Sequence, residues 1–225
     1  MALQVIIPTL KEFDMEEIFC KDNFFTDSEI DFLIERINLL GSGLDYTNHE
    51  GPFANLLLAN YLRISDRSLL DWLHEKVKNT VDRPFNIVSG TRVMLYLPWD
   101  VHNDYHKNEC RPGHLPYYNF LIPIGNYQSR TVIFDQYSTE STNFSDYKNT
   151  HAPLDKPVSE EVWEENLSMC WPQDRQYLSI KSILPWQRCG QLIGFPSKYF
   201  HSSDNFHLKI APPKVFLQIR TEINA

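Results

Sequence analysis

The run Arg92-Val-Met-Leu-Tyr-Leu-Pro-Trp-Asp-Val-His102-Asn-Asp104-Tyr-His106 decides the architecture. Its first part, Arg92 to Pro98, is β-branched, aliphatic and aromatic, and reads as a buried strand. Its second part sets a His and an Asp two residues apart. On extended backbone such positions point to the same side, so His102 and Asp104 can offer one imidazole and one carboxylate to a single ion; the 3.6-residue period of a helix would separate them. A third ligand must come from elsewhere. The run Gly190-Gln-Leu-Ile-Gly-Phe-Pro196-Ser-Lys-Tyr-Phe-His201 supplies a candidate, a second apolar strand that delivers His201 after a turn at Pro196-Ser197.

Composition places the chain among ordinary globular proteins. With 225 residues, 42% hydrophobic and 22% charged, it can bury one good core, and we expect one domain over 1–225. The net charge of −8 argues against a general nucleic-acid binder, which draws its affinity from Lys and Arg set against phosphates. Cys20, Cys110, Cys170 and Cys189 are scattered without a C-x-x-C pair and read as reduced thiols. The N-terminal apolar run, Val5 to Pro8, lacks a basic flank and a cleavage site, and no apolar run reaches the ~18 residues of a membrane span. A cytoplasmic protein without a membrane segment is the expectation.

Residues 1–84 read as a helical support region, opened over 5–25 by a short strand and an extended lead-in. Thr26-Asp-Ser-Glu29 has capping-box spacing, and Ile30, Leu33, Ile34, Ile37 and Leu40 follow at helical period until Gly41-Ser-Gly43. A second amphipathic helix starts at Ser65 or Asp66 and carries Leu69, Leu70, Leu73 and Val77. From 85 to 225 short apolar runs alternate with turn residues, at 85–88, 91–97, 117–124, 131–134, 178–184, 190–195 and 214–223, as in a β-sandwich or barrel. The runs at 117–124 and 131–134 are expected to pair. Between about 136 and 177 the strand pattern lapses, with one helix predicted at Ser159–Leu167; this insertion reads either as a lid or as cover for a sheet edge.

Two His and one carboxylate on a rigid sheet are the facial donor set of non-haem iron(II) oxygenases, with open positions left on the metal. The order of parts, with Arg92 and Tyr96 before His102-x-Asp104, then an aromatic strand, a Gly-led strand with His201 and a last strand with Arg220, resembles the 2-oxoglutarate/Fe(II)-dependent dioxygenases. Within them it resembles the prolyl-4-hydroxylase-like branch over roughly 90–223. The resemblance implies a mainly β fold with N-terminal helices and a double-stranded β-helix, jelly-roll or cupin-like. It implies Fe(II), 2-oxoglutarate and O₂ as metal and cosubstrates, His102, Asp104 and His201 as ligands, and a basic residue for the distal carboxylate of 2-oxoglutarate. Where that branch carries a Gly-Gly-x-Thr-like step, this chain has Gln128-Ser-Arg-Thr131.

Arg220 is the first choice for the basic residue. A guanidinium meets a carboxylate through two parallel hydrogen bonds, and strand alternation puts Phe216, Gln218 and Arg220 on one face. Lys209, about ten residues after His201, and Lys214 are the alternatives. Tyr96, Tyr118 and Asn119 are expected to hydrogen-bond the cosubstrate or line its pocket, and Trp99, Tyr105 and His106 to rim the site. His49, His74, His114, His151 and His207 have no partners at ligand spacing. A rival reading is a cupin-like metal-binding module without 2-oxoglutarate turnover, since Gly190-x5-Pro196-x4-His201-x3-Asn205 follows the second cupin motif apart from Lys198. The expected partner is a small molecule or a peptide side chain such as proline, hydroxylated at an unactivated C–H bond.

Overall fold

The structure, a computed structural model, describes residues 17–47, 56–125, 128–140, 144–187, 189–209 and 213–225. Among the described residues ten strands form two antiparallel sheets, and four α-helices pack on them. The strands are β1 (Phe19–Lys21), β2 (Leu44–Thr47), β3 (Leu57–Arg63), β4 (Asn86–Leu95), β5 (His114–Pro123), β6 (Ser129–Tyr137), β7 (Ile180–Trp186), β8 (Leu192–Pro196), β9 (Tyr199–Ser203) and β10 (Lys214–Asn224). The large sheet runs β1-β8-β5-β10-β4-β3-β2, and the small one β7-β6-β9.

Alternation along the central strands sorts side chains into layers. Phe120 and Ile122 of β5 with Leu217 and Ile219 of β10 face α1 (Asp27–Asn38) and α2 (Arg67–Val77), meeting Leu33, Ile37, Leu69 and Leu73. The opposite parity, Leu121 and Phe216, faces the small sheet and packs with Ile133, Leu184 and Trp186. Helix α1 starts where the capping box predicts: Glu29 N donates to Thr26 Oγ1 while Thr26 N donates to the Glu29 carboxylate. Thr26→Ala is therefore expected to cost about 1 kcal/mol in a denaturant melt, with an unchanged m-value.

Several expectations need correction. The first 84 residues hold more strand than expected: besides β1, which falls within 5–25, β2 and β3 lie there and extend the large sheet. The runs at 85–88 and 91–97 are one strand, β4. Ser89-Gly90 does not turn; Leu70 of α2 sits 2.7 Å from where a Cβ on residue 90 would be, so the glycine admits the helix against the strand. Nor do β5 and β6 pair. Both edges of β5 are taken, by β8 and β10, and β6 enters the small sheet between β7 and β9.

The insertion adds a fourth layer. Ser159 caps α4 (Glu160–Leu167) as predicted, while α3 (Phe144–Thr150) was not anticipated. Phe144, Trp163, Leu167 and Leu178 bury the outer face of the small sheet at Val132, Phe134 and Phe200. The segment thus covers a sheet face rather than an edge. No helix among the described residues is long and apolar enough to cross a membrane.

Candidate metal centre

The turn at Ser197–Lys198 carries the chain from β8 in the large sheet to β9 in the small one, so His201 emerges at the corner between them. The segment after β4 meets it there by main-chain bonds. His102 N donates to His201 O (3.1 Å), His201 N donates to His102 O (2.8 Å), and Asp104 N donates to Ser197 O (3.1 Å). These bonds bring three side chains together: one ligand atom from each of His102, Asp104 and His201 lies within 4.8 Å of the others.

The details of the cluster suit a divalent ion. Both imidazoles hold Nδ1 against a carbonyl two residues earlier, His102 on Asp100 O (2.6 Å) and His201 on Tyr199 O (3.2 Å). A carbonyl can only accept, so each Nδ1 carries the proton and each Nε2 presents a lone pair. Burial, then the neighbouring His201, pushes the His102 pKa down to about 4, which keeps the ring neutral. Burial works to raise the Asp104 pKa, but Arg220 and His201 outweigh it and hold the carboxyl below the usual range. Two neutral nitrogens and one carboxylate oxygen are the donor set that non-haem iron(II) takes.

Two amides fix the carboxylate. Asn119 Nδ2 (2.7 Å) and Gln218 Nε2 (2.9 Å) both donate to Asp104 Oδ2. Asn119 is fully buried and does not line the cavity, so the expectation that it contacts a cosubstrate gives way to one that it orients Asp104. Gln218→Leu and Asn119→Leu are each expected to weaken Mn(II) binding about 10- to 100-fold, as removal of a partner behind a metal ligand does. Calorimetry would measure this; unchanged affinity in both variants would deny the amides that role.

A cavity of about 410 Å³ opens from the cluster between the sheets. Lys214, Phe216, Gln218 and Arg220, alternate residues of β10, line it from one end to the other. Arg220 lies beside the cluster, with its NH2 3.5 Å from Asp104 Oδ1 and its NH1 donating to both Glu109 oxygens at 2.9 Å. Its fork is already engaged, which removes the ground for making it the cosubstrate's counter-ion. Lys209 is outside the cavity and pairs with Asp204 at 2.9 Å. Lys214 is different. It is 1% exposed, its Nζ stands 3.6 Å above the Trp186 ring, and no carboxylate among the described residues pairs with it. Burial pulls its pKa down to about 7, against the pull of Asp204. Beside it Thr131 Oγ1 accepts from Trp186 Nε1 (2.9 Å), which leaves the hydroxyl proton to donate into the cavity.

Other placements are mixed. Trp99 and His106 line the cavity, whereas Tyr105 is buried away from it. Tyr96 and Tyr118 do not line it either; Val93 and Leu95 of β4 do, Tyr118 is buried in the helix-facing core, and the place of Tyr96 is taken by Tyr61 of β3. No described residue of 136–177 lines the cavity, which speaks against a lid. Among the described residues His74, His114, His151 and His207 join no metal-binding cluster; His49 lies outside the described residues.

No family model matches the chain, and no curated protein matches it in sequence. Solved structures do match. The non-haem α-ketoglutarate-dependent epimerase SnoN from nogalamycin biosynthesis superposes with a TM-score of 0.55 at 11% identity, covering 92% of this chain and 78% of that one. The carbocyclase SnoK of the same biosynthesis gives a TM-score of 0.55 at 11% identity, over 92% and 79%. SnoN with Fe³⁺, α-ketoglutarate and nogalamycin RO gives 0.53 at 11%, over 92% and 78%. The fold is that of non-haem α-ketoglutarate-dependent enzymes. At such identity the likeness carries architecture alone, and the chemistry has to be argued from this chain's own residues.

Proposed function

We propose that this protein is a 2-oxoglutarate- and iron(II)-dependent oxygenase whose two sheets form a double-stranded β-helix. The observation that carries the reading is the pairing of two features in one cavity, a His102–Asp104–His201 donor set and a desolvated lysine without a carboxylate partner. A buried cation held apart from any counter-ion costs stability unless an anion visits it. A dicarboxylate with one end on the metal and the other on Lys214 and Thr131 satisfies both features. Iron(II) bound there with 2-oxoglutarate supplies the oxidant, using O₂ and releasing succinate and CO₂.

The chain's own residues do the rest. His102, Asp104 and His201 hold the metal, and Asn119 and Gln218 keep Asp104 in one orientation. Lys214 and Thr131 anchor the distal carboxylate, and Leu95, Leu121, Trp186 and Phe216 keep water from that end. We take hydroxylation of a small molecule as the reaction, since the cavity lies in the ~300–1,000 Å³ range of small-molecule sites. A place in the prolyl-4-hydroxylase-like branch rests on motif order alone. A reducing, cytoplasmic location agrees with four cysteines of which none forms a disulfide.

A cupin-like module that only binds metal accounts for the three ligands and leaves Lys214 unexplained. Anaerobic titration with Fe(II) and 2-oxoglutarate separates the two. A visible metal-to-ligand charge-transfer band, followed on O₂ by succinate, is expected; metal binding with neither would favour the module.

A further inference from the structure

We infer that the substrate of this site is an uncharged hydroxylated ring, a pyranose- or cyclitol-like unit with its C–H face on one of the two rings of Trp99 and Tyr61 and its edge against the other. This rests on the oxygenase reading for where the chemistry occurs, though the binding surface stands on its own contacts.

Three elements contribute to one aromatic wall. Tyr61 comes from β3, Trp99 from the segment after β4, and Tyr46 from β2 packs behind both; their ring centroids lie 5.0 Å (Tyr46–Trp99), 6.1 Å (Tyr61–Trp99) and 6.5 Å (Tyr46–Tyr61) apart. The wall ends at the metal centre, with Trp99 6.1 Å from the His102 ring. It reaches the surface at Tyr46, which is 43% exposed. Trp99 and Tyr61 face the cavity. Aromatic area left open in this way gains free energy when a ring covers it.

The polar groups narrow the choice. Among the described residues the Tyr61 hydroxyl and the Trp99 indole N–H have no protein partner, so the wall presents hydrogen-bonding tips as well as faces. A pure hydrocarbon would leave those tips unmet, and an oxygenated ring would meet them. On the same sheet Arg220 is held by Glu109 and Asp104, and on the oxygenase reading Lys214 is taken by the cosubstrate, so neither is left for a carboxylate or phosphate substrate. Trp99 and Tyr61 meet edge to face, at 77°, so a ring can lie on one of them and set its edge hydroxyls against the other. A cavity of about 410 Å³ that also holds a dicarboxylate has room for one ring unit.

Saturation-transfer NMR on the full chain, loaded with Zn(II) and N-oxalylglycine, tests this. The probes are methyl β-glucopyranoside, methyl β-xylopyranoside and myo-inositol, set against methyl β-glucuronide, glucosamine and N-acetylproline methylamide. Transfer from at least one neutral ring, strongest on its C–H protons, is expected. It should fall about 2- to 10-fold in Trp99→Ala, and measurably in Tyr61→Phe, which removes only the hydroxyl. Silence from every neutral ring, indifference to Trp99→Ala, or preference for a charged or proline probe would overturn the inference. Calorimetric binding of Zn(II) and N-oxalylglycine on the same samples reports on the oxygenase reading separately. Its loss with ring transfer intact sinks that reading alone, and the converse sinks only the ring.

Discussion

Lys214→Met is expected to lower 2-oxoglutarate affinity by at least roughly 100-fold, the scale of removing one partner from a buried charge pair, and at the same time to leave the free protein as stable as before or more so. The two effects have one cause. In the free protein Nζ is buried against Trp186, Phe206 and Phe216, and among the described residues only the Arg130 carbonyl, at 3.5 Å, accepts from it. Methionine has a similar length, packs well on rings and carries no charge to desolvate. A residue kept for stability would behave in the opposite way. Calorimetric titration of 2-oxoglutarate into the Mn(II)-loaded protein, together with a denaturant melt of the metal-free one, reads both effects. If Lys214→Met binds within threefold of the unaltered chain, the carboxylate lies elsewhere in the cavity.

Titration of the same residue gives stability and cosubstrate affinity opposite pH slopes. Its folded pKa of about 7 lies below the ordinary value of 10.5, so between those limits the unfolded chain holds a proton that the folded chain lacks. Stability contributed by this group therefore rises with pH across 7 to 10.5 and is flat below it. Cosubstrate affinity runs the other way. Binding needs the ammonium form, so affinity is full below pH 7 and falls as pH climbs above it. In Lys214→Met both slopes should vanish, which separates this lysine from other titrating groups.

How much of this could be read from the sequence depended on the range of the interactions. His102-x-Asp104 and the capping box at Thr26 are local patterns, and spacing along one element is enough to read them. His201 was legible because a Gly-led apolar run and a turn precede it. The choice among Arg220, Lys209 and Lys214 was not, because it turns on which cation is already neutralised. That is settled by Glu109, which meets Arg220 across 111 residues of chain, and by Asp204, which pairs with Lys209. Alternation alone held the clue to Lys214, which shares parity with Phe216, Gln218 and Arg220. Tyr61 was missed for another reason: its strand lies between two clear helices, and helical neighbours coloured the reading of 57–63. The pairing expected for β5 and β6 failed because proximity in sequence cannot reveal that both edges of β5 are filled from positions 70 or more residues away.

Removal of any one metal ligand should be the other large effect. His102→Ala, Asp104→Ala and His201→Ala are each expected to lower Mn(II) or Fe(II) affinity more than about 100-fold, beyond what loss of an outer amide partner causes. The variants should stay folded, and they should not be equal. The bridge between the two ligand segments is main chain, His102 N to His201 O and His201 N to His102 O, so either imidazole can go without parting the sheets' corner. Asp104 is another matter. Its Oδ2 is the acceptor for Asn119 and Gln218, and Asn119, fully buried, already has its Oδ1 without a partner. Asp104→Ala would leave both ends of that amide unpaired, at a cost of about 1–3 kcal/mol. Arg220 would keep Glu109 and lose little. A denaturant series should thus find the two histidine variants near the unaltered chain and Asp104→Ala below it, while all three fail to bind metal. Retention of metal within tenfold in any one of them would remove that residue from the centre; equal stability of all three would mean that the amides do not depend on the carboxylate.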